Sequence, residues 1–290
     1  MADSQKQVVQ WFPGHMAKTR RLIKESLRLV DGVLEVIDAR IPYSSSNPEL
    51  SELISGKPRI VLLNKCDLAD GNTTRKWIEY YKKQGVTAIP VDCRSGKGLN
   101  AFPNAVKTVL AEKIKSNEEK GMAGNPLRLM VVGIPNTGKS SFINRMAGSA
   151  KAKVADKAGV TRHNQWFVIG GGIELLDTPG VLWPKFDDPK VGDRLAFIGS
   201  LKDEILDSEL LAVRLLEVMT EHYPERLSER YKISDFADLQ AWEVLELIGR
   251  KRGNIMRCGE IDTERTSVML LDEYRGGKLG TISLESPEDL

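Results

Sequence analysis

At 290 residues the chain exceeds the usual length of one domain, and its 41% hydrophobic and 28% charged residues are those of a globular protein with a full core and a smaller second domain. A net charge of +2 is too small to announce a nucleic-acid binder, although it leaves room for local basic patches, so global charge decides nothing. Cys66, Cys93 and Cys258 are far apart and form no C-x-x-C pair, against a disulfide framework or a zinc finger, and no apolar run or signal-peptide core suggests a membrane partner, so a cytoplasmic protein is expected.

Residues 1–31 pass through Trp11-Phe12-Pro13-Gly14-His15-Met16 into a stretch whose Leu22, Ile23, Leu27 and Val30 suit a helix laid on a core, with Lys18, Arg20, Arg21, Lys24 and Arg28 outward. Those charges read equally as a solvated face or as an RNA or partner contact. Val33–Asp38 is a strand, halted by Pro42 in Asp38-Ala39-Arg40-Ile41-Pro42. Residues 44–56 are loop and short helix, and Arg59–Asn64 is a strand buried on both faces that runs into Asn64-Lys65-Cys66-Asp67. A helix carrying Trp77, Tyr80 and Tyr81 leads to a strand over 86–92 and the loop Cys93-Arg94-Ser95. Residues 99–115 are helical, and 116–125 read as a linker or exposed loop.

The apolar run Leu127–Val132 ends at Gly133, and Gly133-Ile-Pro-Asn-Thr-Gly138-Lys139-Ser140 fits G-x-x-x-x-G-K-[ST], a strand, a glycine loop and a helix. The glycines let backbone N–H groups fold around an anion, the helix directs its positive end there, Lys139 adds a mobile charge, and Ser140 is placed to ligate Mg²⁺. A basic, glycine-containing stretch over 149–161 follows. Gln165–Ile169 and Ile173–Asp177, around Gly170-Gly171-Gly172, read as a hairpin ending in Asp177-Thr178-Pro179-Gly180-Val181. Beyond Pro189 the spacing is helical.

Five strands therefore end in candidate functional loops, after Ile37, Leu63, Val91, Val132 and Leu176. The expected fold is a doubly wound, mostly parallel α/β sheet followed by a helical domain, because in such sheets the loops meet at the carboxyl ends of the strands. Asn64-Lys65-Cys66-Asp67 has the chemistry of guanine recognition: one carboxylate, Asp67, accepts from the base N1–H and exocyclic amine, while Asn64 bridges loops and the Lys65 stem lies along the base. In isolation N-K-x-D could be only a capping turn; beside the P-loop it is a base site. Asp177 supplies a carboxylate on the Mg²⁺ side, the Gly180 N–H can face a γ-phosphate, and Thr161 is the candidate switch threonine of the Mg²⁺ shell.

These elements resemble the TRAFAC-type GTPases, except that Asn64–Asp67 and the Cys93–Ser95 loop precede the P-loop, the order of a circularly permuted GTPase. Residues Trp11–Lys18, Asp38–Pro42, Gly133–Ser141 and Asp177–Pro184 are similar to those of the YlqF family, the ribosome biogenesis GTPase A family. The resemblance implies a permuted GTPase domain over 1–185, a helical C-terminal domain over 186–290 with an RNA contact, and action in late assembly of the large ribosomal subunit. It implies GTP or GDP held by Asn64, Lys65, Cys66, Asp67, Cys93, Arg94, Asn136, Thr137, Gly138, Lys139, Ser140, Ser141 and Gly180, with Mg²⁺ at Ser140, Thr161 and Asp177. Its partners would be the large subunit or its precursor, with rRNA and ribosomal proteins and neither DNA nor membrane, and the chain a monomer.

Many GTPases orient the attacking water with a glutamine after the D-x-x-G glycine; here that residue is Val181, which cannot. Slow intrinsic turnover, raised by the ribosomal particle, should follow. By resemblance His15 is the catalytic histidine, acting with Lys139 and Thr161, and Asn136 resembles the asparagine that helps hold K⁺ in potassium-activated members; the plainer roles are an N-terminal turn and loop shaping. Arg250-Lys251-Arg252 with Arg257 could bind RNA phosphates or simply end a helix before Gly253. The rival reading is a nucleotide-gated ribosome- or RNA-binding regulator with negligible hydrolysis.

Overall fold

The computed structural model describes residues 14–54, 56–148, 165–178, 180, 186, 188–201 and 207–290, the side chains of 14–19 excepted. It contains two compact units: residues 1–187 with 285–290, and residues 188–284.

The first unit is built on β1 (Gly32–Asp38), β2 (Arg59–Asn64), β3 (Thr87–Val91), β4 (Leu127–Val132), β5 (Gln165–Ile169) and β6 (Ile173–Asp177), in the order β3-β2-β1-β4-β6-β5. All neighbours are parallel except β5 and β6, the expected hairpin. Pro90 in β3 donates no ladder hydrogen bond, and β3 accordingly takes an edge. The chain builds outward from β1 to β3 on one side and resumes with β4 on the other, so the order reverses between β1 and β4. The P-loop leaves the sheet at this point, where a crevice opens beyond the strand ends.

Alternating residues of the central strands face opposite layers of helices, which is why they read as continuous apolar runs. On one face Leu34, Val36, Leu129 and Val131 pack with Phe102 and Val106 of α5 (Phe102–Val109) and with Phe142 and Ile143 of α7 (Lys139–Gly148). Phe102 and Phe142 meet edge to face at 5.1 Å. On the other face Val33, Met130 and Val132 cover Ile23 of α1 (Gly14–Leu27), and Ile37, Val61 and Leu63 cover Trp77 and Tyr81 of α4 (Gly71–Lys83). Exposed Arg20, Arg21, Lys24 and Arg28 confirm the outward basic side of α1, with Arg20 paired to Glu49 at 3.6 Å.

Two expectations are corrected. The stretch after residue 115 is not loop from its start: α6 (Ala111–Glu119) continues through its Glu- and Lys-rich sequence, good helix formers, and buries Asn117, whose carbonyl accepts from Met122 N–H at 2.8 Å. Glu285–Leu290, read as part of the helical region, belong to the first unit. There Trp77 Nε1 donates to the Glu285 carbonyl at 3.1 Å and Lys76 pairs with Glu288 at 2.9 Å.

The second unit packs α8 (Pro189–Phe197), α9 (Ser208–His222), α10 (Pro224–Tyr231), α11 (Ala241–Arg252) and α12 (Thr263–Arg275) around Leu195, Leu215, Leu216, Met219, Val244, Ile248 and Leu270. Nearly buried Glu273 gathers Arg230 and accepts from the Tyr231 hydroxyl at 3.0 Å. Arg252 approaches the same carboxylate at 3.6 Å and stacks over Tyr231 at 5.1 Å, so this member of the basic cluster is tied into the fold. Gly253, at φ 70°, ends α11 as expected, and Arg250, Lys251 and Arg257 are exposed.

Candidate functional site

Gly133, at φ 146°, turns the chain out of β4, and a Cβ there would lie 2.4 Å from the Val36 carbonyl oxygen of β1. Gly138, at φ 101°, passes so close to β2 that a Cβ would fall 2.1 Å from the Asn64 amide nitrogen. Only glycine permits either approach. Between them Asn136 adopts the left-handed region at φ 62°, tolerated by asparagine, and buried Thr137 donates its hydroxyl to the Ile134 carbonyl at 3.0 Å. These turns make the concave backbone loop that favours an anion.

Lys139, 8% exposed, bends back over this loop and donates to the Ile134 carbonyl at 2.8 Å. Burial lowers its ammonium to about 8, against the opposing pull of Asp177. Burial raises the Asp177 carboxyl above its ordinary value, with Lys139 opposing it. A cationic centre this dehydrated gains strongly from an arriving anion. Pro135, Asn136, Lys139, Ser140, Gln165, Asp177, Thr178 and Gly180 line one cleft of about 390 Å³. Thr178 fastens its floor by donating its hydroxyl to the Val131 carbonyl at 2.6 Å. A Cβ on Gly180 would meet Lys139 Nζ at 2.8 Å, so the D-x-x-G glycine closes directly over the lysine.

The base-side loops are knitted to the P-loop by one side chain. Asn64 donates through Nδ2 to the Thr137 carbonyl at 2.6 Å, and its Oδ1 accepts from Cys93 N–H at 3.0 Å. Asp92 shapes the next loop by accepting from Arg94 N–H at 2.8 Å and Ser95 N–H at 3.2 Å, and the Arg145 guanidinium of α7 donates to the Ser95 carbonyl. Burial would raise the Asp92 carboxyl, but these donors hold it below its ordinary value. Burial raises the Cys66 thiol and pushes that of Cys93 up to about 12, so neither is primed as a nucleophile. Asp67 and Arg94 are exposed around this end, and Ser141 is exposed on the first turn of α7.

Of the residues expected at the site, Asn136, Lys139, Ser140, Asp177 and Gly180 meet in the cleft, and Asn64, Cys93, Thr137 and Gly138 meet beside it. The His15 side chain, Thr161 and Val181 lie outside the described residues, and the backbone of His15 opens α1. The sequence reading did not single out Gln165, which reaches the cleft because its antiparallel register pairs it with Asp177. It also assigned no role to Asp38. This carboxylate is completely buried, bonds Arg40 Nε and Nη2 at 2.9 Å each, and pairs with Lys65 Nζ at 3.0 Å. Burial alone would raise Asp38, but the two cations hold it well below the usual carboxylate range.

Comparison with known proteins agrees with this geometry. Residues 128–239 match the family model described as 50S ribosome-binding GTPase. The chain is 47% identical to the ribosome biogenesis GTPase A of Bacillus cereus over 97% of its own length and 95% of that protein. A GDP-bound structure of TM YlqF superposes with a TM-score of 0.69 at 32% identity, covering 93% of this chain and all of that one. A GNP-bound YlqF from T. maritima superposes at 0.64, covering 94% and 100%.

Proposed function

Since the chain belongs to the ribosome biogenesis GTPase A family, and is thus a guanine-nucleotide-binding GTPase, we propose that it acts in late maturation of the large ribosomal subunit, with turnover stimulated by the particle itself. The ribosomal part of this reading rests on the family; its nucleotide part rests on the Asn64 bridge, which holds the loop bearing Asp67 against the phosphate loop. A ligand spanning both would set a guanine base at Asp67 and its phosphates in the loop.

In this reading the backbone of 133–139 cradles the α- and β-phosphates, Lys139 neutralises charge toward the γ-phosphate, and the Gly180 N–H faces that group. The oxygen donors of Ser140 and Asp177 in one cleft suit a hard divalent cation, with Thr161 as the further proposed ligand. Mg²⁺ bound there would lower the cost of charge on the transferred phosphoryl group. Water attacks the γ-phosphorus, the bond to the bridging oxygen breaks, and GDP and inorganic phosphate leave. Val181 offers no group to orient that water, and His15 is the proposed substitute. Asn136, on the lip of the loop, is the proposed K⁺ contact; equal hydrolysis in K⁺ and Na⁺ would count against it.

The permuted order lets Asp177–Gly180 lead into the helical unit, so the nucleotide state can bias that unit, whose Arg250, Lys251 and Arg257 suit RNA phosphates. No helix among the described residues is long and apolar enough to cross a membrane; that the factor is cytoplasmic and monomeric is part of the proposal. Co-sedimentation tests the partner. The protein should travel with large subunits or their precursors in a non-hydrolysable GTP analogue and leave them in GDP; sedimentation with no ribosomal particle in either state would overturn the assignment.

A further inference from the structure

Among the buried charges that the phosphate chemistry does not use is the fully buried Asp38 with Arg40, 1% exposed, and Lys65. A carboxylate buried between two cations, one of them (Lys65) partly exposed, is poor evidence of stability, because desolvation consumes most of the attraction. Its consequence is geometric. Lys65 sits at φ 60°, a strained conformation for lysine, in the loop between Asn64 and Asp67, and Asp38 fixes where its ammonium and stem lie. Asp38 also stands opposite Asn64 in the parallel ladder, and the next residue, Ala39, donates its N–H to the Asn64 carbonyl at 2.8 Å.

Asp38 is itself held from the far side. Its N–H donates to Ser45 Oγ at 3.0 Å, and that hydroxyl donates to the Ile41 carbonyl at 2.7 Å. The neighbouring residues are gripped by Glu285, 3% exposed, whose carboxylate accepts from Tyr43 N–H at 2.7 Å, from Ser44 N–H at 3.1 Å and from the Ser44 hydroxyl. Trp77 Nε1 anchors the Glu285 carbonyl. The segment Asp38–Ser45 is thus fastened to Lys65 at one end and to Glu285 at the other.

Resting on the guanine-nucleotide reading, we propose that Asp38 is the positioning residue for Lys65 against the guanine base, and that Glu285 clamps the Asp38–Ser45 segment and thereby helps set nucleotide affinity. Glu285 directly follows the helical unit, and Asp177–Gly180 precede it. That unit is therefore covalently joined to the phosphate end of the site through the D-x-x-G loop and to the base end through Glu285. Displacement of Glu285 would loosen Lys65 and speed GDP release without disturbing the phosphate loop.

The test uses the full chain and a fluorescent GDP analogue in titration and stopped-flow displacement. Glu285→Ala should weaken binding about tenfold, the worth of one hydrogen bond to a charged group, mainly through faster dissociation. Glu285→Gln and Ser44→Ala, milder changes that keep the fold, should give smaller losses in the same direction. Lys65→Met should weaken binding comparably. Glu285→Ala combined with it should add little, whereas with Ser140→Ala at the phosphate end the losses should multiply. A dissociation rate within twofold of wild type in Glu285→Ala, Glu285→Gln and Ser44→Ala, or losses that multiply with Lys65→Met, would overturn the clamp. Wild type failing to prefer the GDP analogue over its ADP counterpart would instead overturn the guanine reading beneath it.

Discussion

Asn64 donates its side-chain amide to the Thr137 carbonyl at 2.6 Å, joining the end of β2 to a phosphate loop 73 residues later in the chain. The same side chain accepts from Cys93 N–H, so three strand-end loops share one buried amide. Asn64→Ala leaves the Thr137 carbonyl and the Cys93 N–H without this partner, and the stability lost should be about 2–4 kcal/mol. GDP affinity should fall on the order of tenfold as the two halves of the site lose register. Chemical denaturation and calorimetric titration check the pair; unchanged affinity would separate the bridge from ligand binding.

Lys139 gives stability and nucleotide binding pH dependences of opposite sign. Burial takes its ammonium from 10.5 in the unfolded chain to about 8 in the folded one. Below pH 8 both states carry the proton and the full desolvation penalty opposes folding; between 8 and 10.5 the folded chain sheds it first, so this group's contribution to stability rises with pH. Nucleotide binding runs the other way, because the phosphates need the ammonium: GDP affinity should drop by up to about tenfold per unit above pH 8. Lys139→Met should stabilise the ligand-free protein at pH 7, by at most about 3 kcal/mol, while abolishing binding. Affinity flat from pH 7 to 9.5 would contradict this.

Asp67→Asn exchanges an acceptor pair for one acceptor and one donor. Xanthine presents an oxygen where guanine has its amine, so competition binding should show preference moving from GDP to XDP by about 10²-fold or more. Retained GDP preference would remove Asp67 from base recognition.

The sheet and phosphate loop were legible because strand burial, glycine spacing and motif position point to the same place: Leu127–Val132 had to be a buried strand, and Gly133 and Gly138 had to turn. The bridging role of Asn64 was legible from its chemistry. Asp38 was not, although a D-x-R at the end of a mostly apolar strand is itself a signal, since a charge buried there must have a partner. Nothing local announces Glu285, whose contacts with Tyr43 and Ser44 cross more than 240 residues. Gln165 enters the cleft through hairpin register, and Arg252 is withdrawn from the basic cluster by Glu273; both depend on tertiary packing.

His15 carries the catalytic proposal. His15→Ala should leave GTP affinity within about twofold of wild type and lower particle-stimulated hydrolysis by 10²-fold or more, the range of a general base or water-orienting group. Unchanged stimulated turnover would exclude it.

Single-turnover GTP hydrolysis with and without purified large ribosomal subunits or their precursors tests the central claim most directly. The account predicts slow cleavage by the protein alone and an acceleration of at least about 10²-fold with the particle, since partner assistance in such systems can reach roughly 10⁵-fold. Equal rates with and without it, at concentrations where the particle is bound, would contradict the claim and leave a nucleotide-gated binder in its place.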